Sequence, residues 1–98
     1  MRGAWIDLAC ALYQAQDWSG CLEACVAAMG LPDTDTEYGA QSDSAALPED
    51  MASVSAWRLG RRAEAIAHGR RAVAAAPRVE RLKANLRAME SAFAGGAP

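Results

Sequence analysis

One apolar pattern occurs twice in this 98-residue chain, each time over a pair of predicted helices, and a fifth helix follows. Apolar residues recur at three- and four-residue spacing, which is typical of amphipathic helices, and a proline closes each copy. The first copy contains Trp5, Leu8, Ala9, Leu12, Cys21, Leu22, Cys25, Ala28 and Pro32, and the second contains Ala56, Leu59, Gly60, Ala65, Ile66, Gly69, Ala72, Val73 and Pro77. Because a single helix pair cannot bury its apolar face alone, such copies stack and share a core.

The pattern resembles the tetratricopeptide repeat (TPR), whose signature is W-x2-L-G-x2-Y, then A-x3-F-x2-A, then proline. In the first copy the signature positions hold Trp5, Leu8, Ala9, Leu12, Cys21, Cys25 and Ala28. In the second copy the closing positions hold Ala65, Gly69, Ala72 and Pro77, whereas Glu49 stands where the family usually has tryptophan. Asn85 and Leu86 form a pair often seen at the start of such repeats, and they open a third copy. The resemblance implies a recognition protein rather than a reaction centre.

The sequence therefore predicts an all-α fold, a short α-solenoid of antiparallel helix pairs with about two and a half TPR-like repeats and five helices. Its predicted parts within the single domain 1–98 are repeat 1 over about 2–32, a loop insertion over 31–47, repeat 2 over about 48–77 and a capping helix over 78–94. Cys21 and Ala65 are 44 residues apart, more than the family period of about 34, and the loop takes up the difference. Asp17 is predicted to cap the second helix, Pro48 to begin the third and Gly60 to end it.

A narrower likeness concerns the helical repeat segments that accompany family 2 glycosyltransferases in bacterial and phage proteins. The chain is similar to them at Asp17-Trp18-x2-Cys21, Tyr38-Gly39, Leu47-Pro48-x-Asp50, Trp57-x-Leu59-Gly60 and Arg81-Leu82-x2-Asn85-Leu86. The catalytic domain of those enzymes is not recognisable here. Asp33-Thr34-Asp35 lies in the predicted loop without a preceding apolar strand, so we do not interpret it as their Asp-x-Asp motif.

Charge is divided unevenly along the chain. Residues 1–49 hold one basic and eight acidic residues, and residues 50–98 hold nine basic and four acidic ones, giving net charges of −7 and +5. This asymmetry favours a charged partner or head-to-tail contact between copies, although the charges can also simply solvate exposed helix faces. Nucleic acid is not an expected partner, because the basic second half lacks interleaved aromatic side chains for base stacking.

The chain has no apolar run of about 18 residues, which would span a membrane, and no secretory signal is visible. We therefore expect no membrane partner, and a cytoplasmic protein or one incorporated into an assembly built in the cytoplasm.

Neither a metal site nor an active site is expected. Cys21 and Cys25 occupy positions where the repeat needs small residues, so core packing is predicted for them rather than zinc binding. His68 is the only histidine, and we expect it on an exposed or half-exposed helix face without a nucleophile beside it. The sequence therefore predicts a chain that is not an enzyme and has no cofactor and no small-molecule substrate.

The leading functional hypothesis is a non-catalytic protein–protein interaction module, an adaptor or scaffold. In the TPR family the first helix of each pair lines the binding surface, which here implies partner-binding residues Ile6, Tyr13, Gln14, Val54, Trp57 and Arg58. The alternative for Trp57 is that it fills the gap between adjacent helix pairs. The alternative functions are a structural component of a large assembly, such as one of phage origin, through self-association, or an accessory repeat domain of a glycosyltransferase system.

Overall fold

The computed structural model describes residues 2–31 and 43–94, which form five α-helices and no strand. The helices are α1 (Arg2–Gln14), α2 (Trp18–Met29), α3 (Asp43–Arg58), α4 (Arg62–Ala75) and α5 (Glu80–Ala94). The predicted all-α fold with five helices is confirmed for this part of the chain. None of these helices is both long and apolar enough to cross a membrane.

Each helix packs on the next one along the chain, and α1 also contacts α3. The turns between α1 and α2, α3 and α4, and α4 and α5 are short, which makes these neighbours antiparallel. This succession is consistent with a helical repeat array in which α1 and α5 are the two end helices. The assignment to a TPR solenoid stays a prediction.

Small side chains dominate the core. The main core cluster consists of Ala9, Cys21, Leu22, Ala24, Cys25, Met51, Ala52, Ala56, Ala65, Ile66 and Met89. A second cluster, at the α4–α5 turn, consists of Ala46, Ala72, Ala76 and Leu82. At Gly69 the helices come so close that an added Cβ would lie 3.2 Å from both Ser53 Oγ and Leu86 Cδ1. Alanine, glycine and cysteine are therefore what allow these helices to approach closely.

The turns within the two helix pairs have the same backbone geometry. We call residues 12–18 the first turn and residues 56–62 the second turn. The hydrogen bonds run from Gln16 N–H to Tyr13 O (3.0 Å), Asp17 N–H to Leu12 O (2.9 Å), Gly60 N–H to Trp57 O (3.1 Å) and Arg61 N–H to Ala56 O (2.9 Å). Each pattern is a Schellman motif, with a left-handed residue, Gln16 (φ 61°) or Gly60 (φ 83°), just after the helix. Equivalent residues are 44 positions apart, the same spacing that separates Cys21 from Ala65.

Two predicted helix starts are wrong. Helix α5 begins at Glu80 rather than at residue 78, and α3 begins at Asp43 rather than at Pro48. A proline inside a helix removes a backbone hydrogen bond and crowds the preceding turn. Here Pro48 is fully buried, and Ala46, from the turn before it, packs in the second cluster. This packing offsets the cost of the proline. Residues 32–42 of the predicted loop lie outside the described residues.

Candidate partner-binding surface

The first turn holds two aromatic rings against each other. Tyr13 lies near the end of α1 and Trp18 begins α2, with ring centroids 5.3 Å apart and planes at 86°, a T-shaped contact. Both residues are half-buried, and Tyr13 packs on the main core. Asp17 caps α2 as predicted, because its Oδ1 accepts a hydrogen bond from Gly20 N–H at 3.0 Å. The ring pair is therefore positioned by the helix ends rather than by a long loop.

The second turn places an arginine where the first has tryptophan. Trp57 is equivalent to Tyr13, and Arg62 is equivalent to Trp18. The Arg62 guanidinium carbon lies 5.0 Å from the Trp57 ring centroid, a cation–π contact. One backbone geometry therefore brings the same two positions together in both turns, with different side chains.

Arg58 joins the two turns. Its guanidinium carbon lies 5.6 Å from the centroid of the Trp18 ring, so a residue at the end of α3 reaches the start of α2. We call Tyr13, Trp18, Trp57, Arg58 and Arg62 the aromatic–arginine surface. Arg58 is exposed and the other four are half-buried, so each of these side chains keeps part of its area accessible to solvent.

The six predicted partner-binding residues are only partly brought together. Tyr13 and Arg58 meet through Trp18, and Trp57 contacts Arg62. Trp57 and Ile6 also pack on the main core, so part of each side chain contributes to the fold. Val54 is half-buried and Gln14 is exposed. In the described ranges, no side-chain hydrogen bond, ion pair or ring contact joins Ile6, Gln14 or Val54 to this surface.

Trp18 and Arg62 were missed by the sequence analysis. The predicted binding residues came only from the first helix of each pair, whereas Trp18 and Arg62 each begin a second helix. The signal was nevertheless present in the repeat spacing. Shifting the chain by 44 residues aligns Tyr13 with Trp57 and Trp18 with Arg62, and both aligned pairs flank a turn.

Among the described residues, no carboxylate pairs with the two arginines of the aromatic–arginine surface. Several other arginines are ion-paired, at 2.9 Å for Arg70–Glu90, 3.1 Å for Arg71–Glu49 and 2.9 Å for Arg81–Asp50. Within the described part of the chain, Arg58 and Arg62 have no carboxylate partner and lie against rings instead. Guanidinium groups in this state can form charge-assisted hydrogen bonds with carboxylates of another molecule.

His68 is buried, which contradicts the expectation of an exposed or half-exposed side chain. It is 6% exposed, and its Nδ1 lies 2.7 Å from Glu49 Oε2, so the tautomer with a proton on Nδ1 donates to the ionised carboxylate. Arg71 Nη2 lies 3.0 Å from the same nitrogen. Arg71 Nε donates to the other carboxylate oxygen, Oε1, at 3.1 Å. Since α3 begins at Asp43, Glu49 lies beyond the first turn and connects α3 to α4 instead of capping its own helix.

Glu49 is held in its ionised form. Burial of the carboxyl would by itself raise its pKa, but the hydrogen bond from His68 and the charge of Arg71 outweigh burial, so the pKa is lowered. Every polar atom named in this network has a protein partner. The network therefore fastens α3 to α4.

The cysteines behave as core residues. Cys21 and Cys25 are fully buried in the main core, as predicted from the repeat pattern, and Cys10 is half-buried beside it. Burial, followed by the proximity of Cys21, raises the pKa of the Cys25 thiol strongly. Burial and Asp7 raise the pKa of Cys10. Thiols are poor nucleophiles and poor metal ligands when protonated, and the described residues contain no group of three or more ligand-type side chains arranged for a metal ion.

Comparison with protein-family models found no match, and searches of the curated proteins and of the solved structures found none either.

Proposed function

We propose that this chain is a non-catalytic protein–protein interaction module that binds a partner through the aromatic–arginine surface. The observation that carries the proposal is the stacking of Arg58 over Trp18, which links the two helix pairs into one surface. Tyrosine, tryptophan and arginine are the residues that contribute most to interface energies. Because these side chains are already held in place by packing, ordering them on binding costs little entropy.

The partner is expected to present carboxylates and an apolar group. Arg58 and Arg62 supply cationic groups without intramolecular carboxylates in the described chain, and Trp18 and Trp57 supply ring faces. The resemblance to TPR arrays supports a binding role. A role beside a glycosyltransferase rests on sequence resemblance alone. Self-association in an assembly is favoured by different residues, at the ends of the array.

The test starts with peptide selection from a displayed random library on the immobilised chain. Selected peptides should be enriched in aspartate and glutamate, and their dissociation constants are then measured by fluorescence anisotropy. Trp18→Ala, Arg58→Glu and Arg62→Glu should each weaken binding about tenfold or more. Arg78→Glu is the matched control, because it makes the same charge change in the exposed α4–α5 turn and should leave affinity unchanged. Peptides without acidic enrichment, or equal losses in the control, would contradict the proposal.

A further inference from the structure

Helix α1 exposes two large apolar side chains. Trp5 is 40% and Leu8 is 45% exposed, and their spacing of three residues puts them on one face of the helix. The residue equivalent to Leu8 in the second pair is Ala52, which is 0% exposed. Helix α3 packs between α2 and α4, whereas no helix precedes α1 in the described structure. The exposed face of α1 is thus a position that a neighbouring helix covers in the second pair.

The other end of the array offers a groove. Phe93 on α5 is 44% exposed, and it borders a groove of about 400 Å³ between α4 and α5. The groove is lined by Ala63, Ile66, Arg70, Glu90, Phe93 and Ala94. Exposed apolar side chains next to such a groove are typical of an interaction site.

The two ends carry opposite charge. Residues 2–31, which include α1 and α2, hold one basic and three acidic residues, a net charge of −2. Residues 62–94, which include α4 and α5, hold seven basic and three acidic residues. Glu49 and Asp50 of α3 pair with Arg71 and Arg81 of this end, which leaves it a net charge of +2. An acidic apolar end and a basic apolar end on one molecule are complementary between copies, and each is self-repulsive in a symmetric contact.

We infer that the chain associates head to tail, with the Trp5–Leu8 face of α1 docked in the α4–α5 groove of a second copy. The contact is heterologous, so it propagates into a filament or closes into a ring. Its contact residues on α1 and in the groove include none of the aromatic–arginine surface, although Arg62 contributes to the charge of the basic end. Variants of Trp5 and Phe93 therefore test it separately from the proposed function. Because its charges lie near the protein surface, the association weakens as salt increases.

The experiment uses two variants of the full chain that each block one end. Trp5→Lys adds a positive charge to the face that meets the basic end, and Phe93→Glu adds a negative charge to the groove that meets the acidic end. Molar mass is measured by light scattering after size exclusion, over a range of concentrations at low and high salt. The parent should form oligomers at low salt that dissociate at high salt, and each variant should be monomeric.

The decisive sample is an equimolar mixture of the two variants. Each variant keeps one intact end, so the mixture should form a 1:1 heterodimer and nothing larger. Val26→Lys is the matched control, because Val26 is 52% exposed on α2 and lies on neither end helix. It should keep the mass of the parent.

Three results would overturn the inference. The parent could be monomeric at all concentrations in low salt. Trp5→Lys alone could abolish association while Phe93→Glu has no effect, which indicates a symmetric α1–α1 dimer. The mixture could fail to form a heterodimer although both variants are folded by circular dichroism. If either variant loses helicity, Trp5→Ser and Phe93→Ser replace them in the same design.

Discussion

The first and second turns have the same backbone conformation but are formed by different residues. Both place a left-handed residue after the first helix, yet the first turn uses Gln16 where the second uses Gly60. The first turn closes with an aromatic pair, and the second closes with a tryptophan and an arginine. The hydrogen bonds match residue for residue, so the two turns share one backbone geometry although their side chains differ. The shared geometry joins the two helices of each pair, and the differing side chains give each turn its own surface chemistry.

The same contrast extends to the helices. Trp5 and Ala24 of the first pair correspond to Glu49 and His68 of the second. In the first pair these positions hold an exposed tryptophan and a buried alanine, whereas in the second a hydrogen bond between α3 and α4 joins them. The polar contact occurs in the second pair, α3 and α4, which we call the interior pair because it packs between α2 and α5. There the Glu49 carboxylate has both His68 and Arg71 as partners. Substituting the residues that differ between the pairs tests how much each difference contributes to stability.

The largest effect is expected for Glu49→Ala. This change leaves the buried His68 Nδ1–H without its acceptor and removes the partner of Arg71, which should lower the free energy of unfolding by about 2 kcal/mol. Urea unfolding followed by circular dichroism measures the change. Glu80→Ala is the control, because its ion pair with Lys83 is exposed and should contribute almost nothing. Equal losses of unfolding free energy in both variants would show that the buried network stabilises the chain no more than an exposed ion pair does.

The contribution of Glu49 should depend on pH. A carboxyl whose pKa is lowered on folding stabilises the fold above its unfolded pKa, and this stabilisation is lost as pH falls through the folded pKa. The ordinary pKa is 4.5. The stability difference between the parent and Glu49→Gln should therefore be constant above pH 4.5 and shrink below it. A difference that grows on acidification would contradict the assigned ionisation state.

Exchanging the residues at the two left-handed positions, Gln16 and Gly60, tests whether both turns impose the same backbone strain. Gln16→Gly removes a side chain from a conformation that costs most residues about 1 kcal/mol or more, so it should stabilise the chain by about 1 kcal/mol. Gly60→Gln should destabilise it by a similar amount. A Cβ at Gly60 would meet nothing within 4 Å, so this loss comes from the backbone alone. Thermal unfolding of both variants measures the effects, and a loss with Gln16→Gly would mean that its side chain has a role beyond the turn.

The sequence predicts correctly those helix ends that depend on residues nearby in the chain. The Asp17 cap and the end of α3 near Gly60 depend on residues close in the chain, and the structure confirms them. The start of α3 was missed because the cost of Pro48 is local, whereas the packing of Ala46 against α4 and α5 that offsets it is tertiary. The burial of His68 was missed for the same reason, since its partner Glu49 lies on another helix.

In the candidate surface, too, some residues could be predicted from the sequence and their contact partners could not. Tyr13, Trp57 and Arg58 were chosen by residue type and helix face, and the structure places them in ring contacts. The partners of these residues, Trp18 and Arg62, follow from the turn geometry. That geometry is visible in the sequence only after the two pairs are aligned with a spacing of 44 residues.

The smallest predicted effect concerns Ser55, which is fully buried on α3 and whose hydroxyl has no hydrogen-bond partner in the described structure. Its equivalent in the first pair is Ala11, which is exposed. A buried hydroxyl without a partner is unfavourable, and alanine is the better helix former. Ser55→Ala should therefore raise the free energy of unfolding by about 0.5 kcal/mol. Ser53→Ala is the matched control and should do the opposite, because the Ser53 hydroxyl donates to Ala65 O at 2.7 Å. If both substitutions destabilise the chain, Ser55 has a partner in solution, and the interior pair is more completely hydrogen-bonded than its contacts indicate.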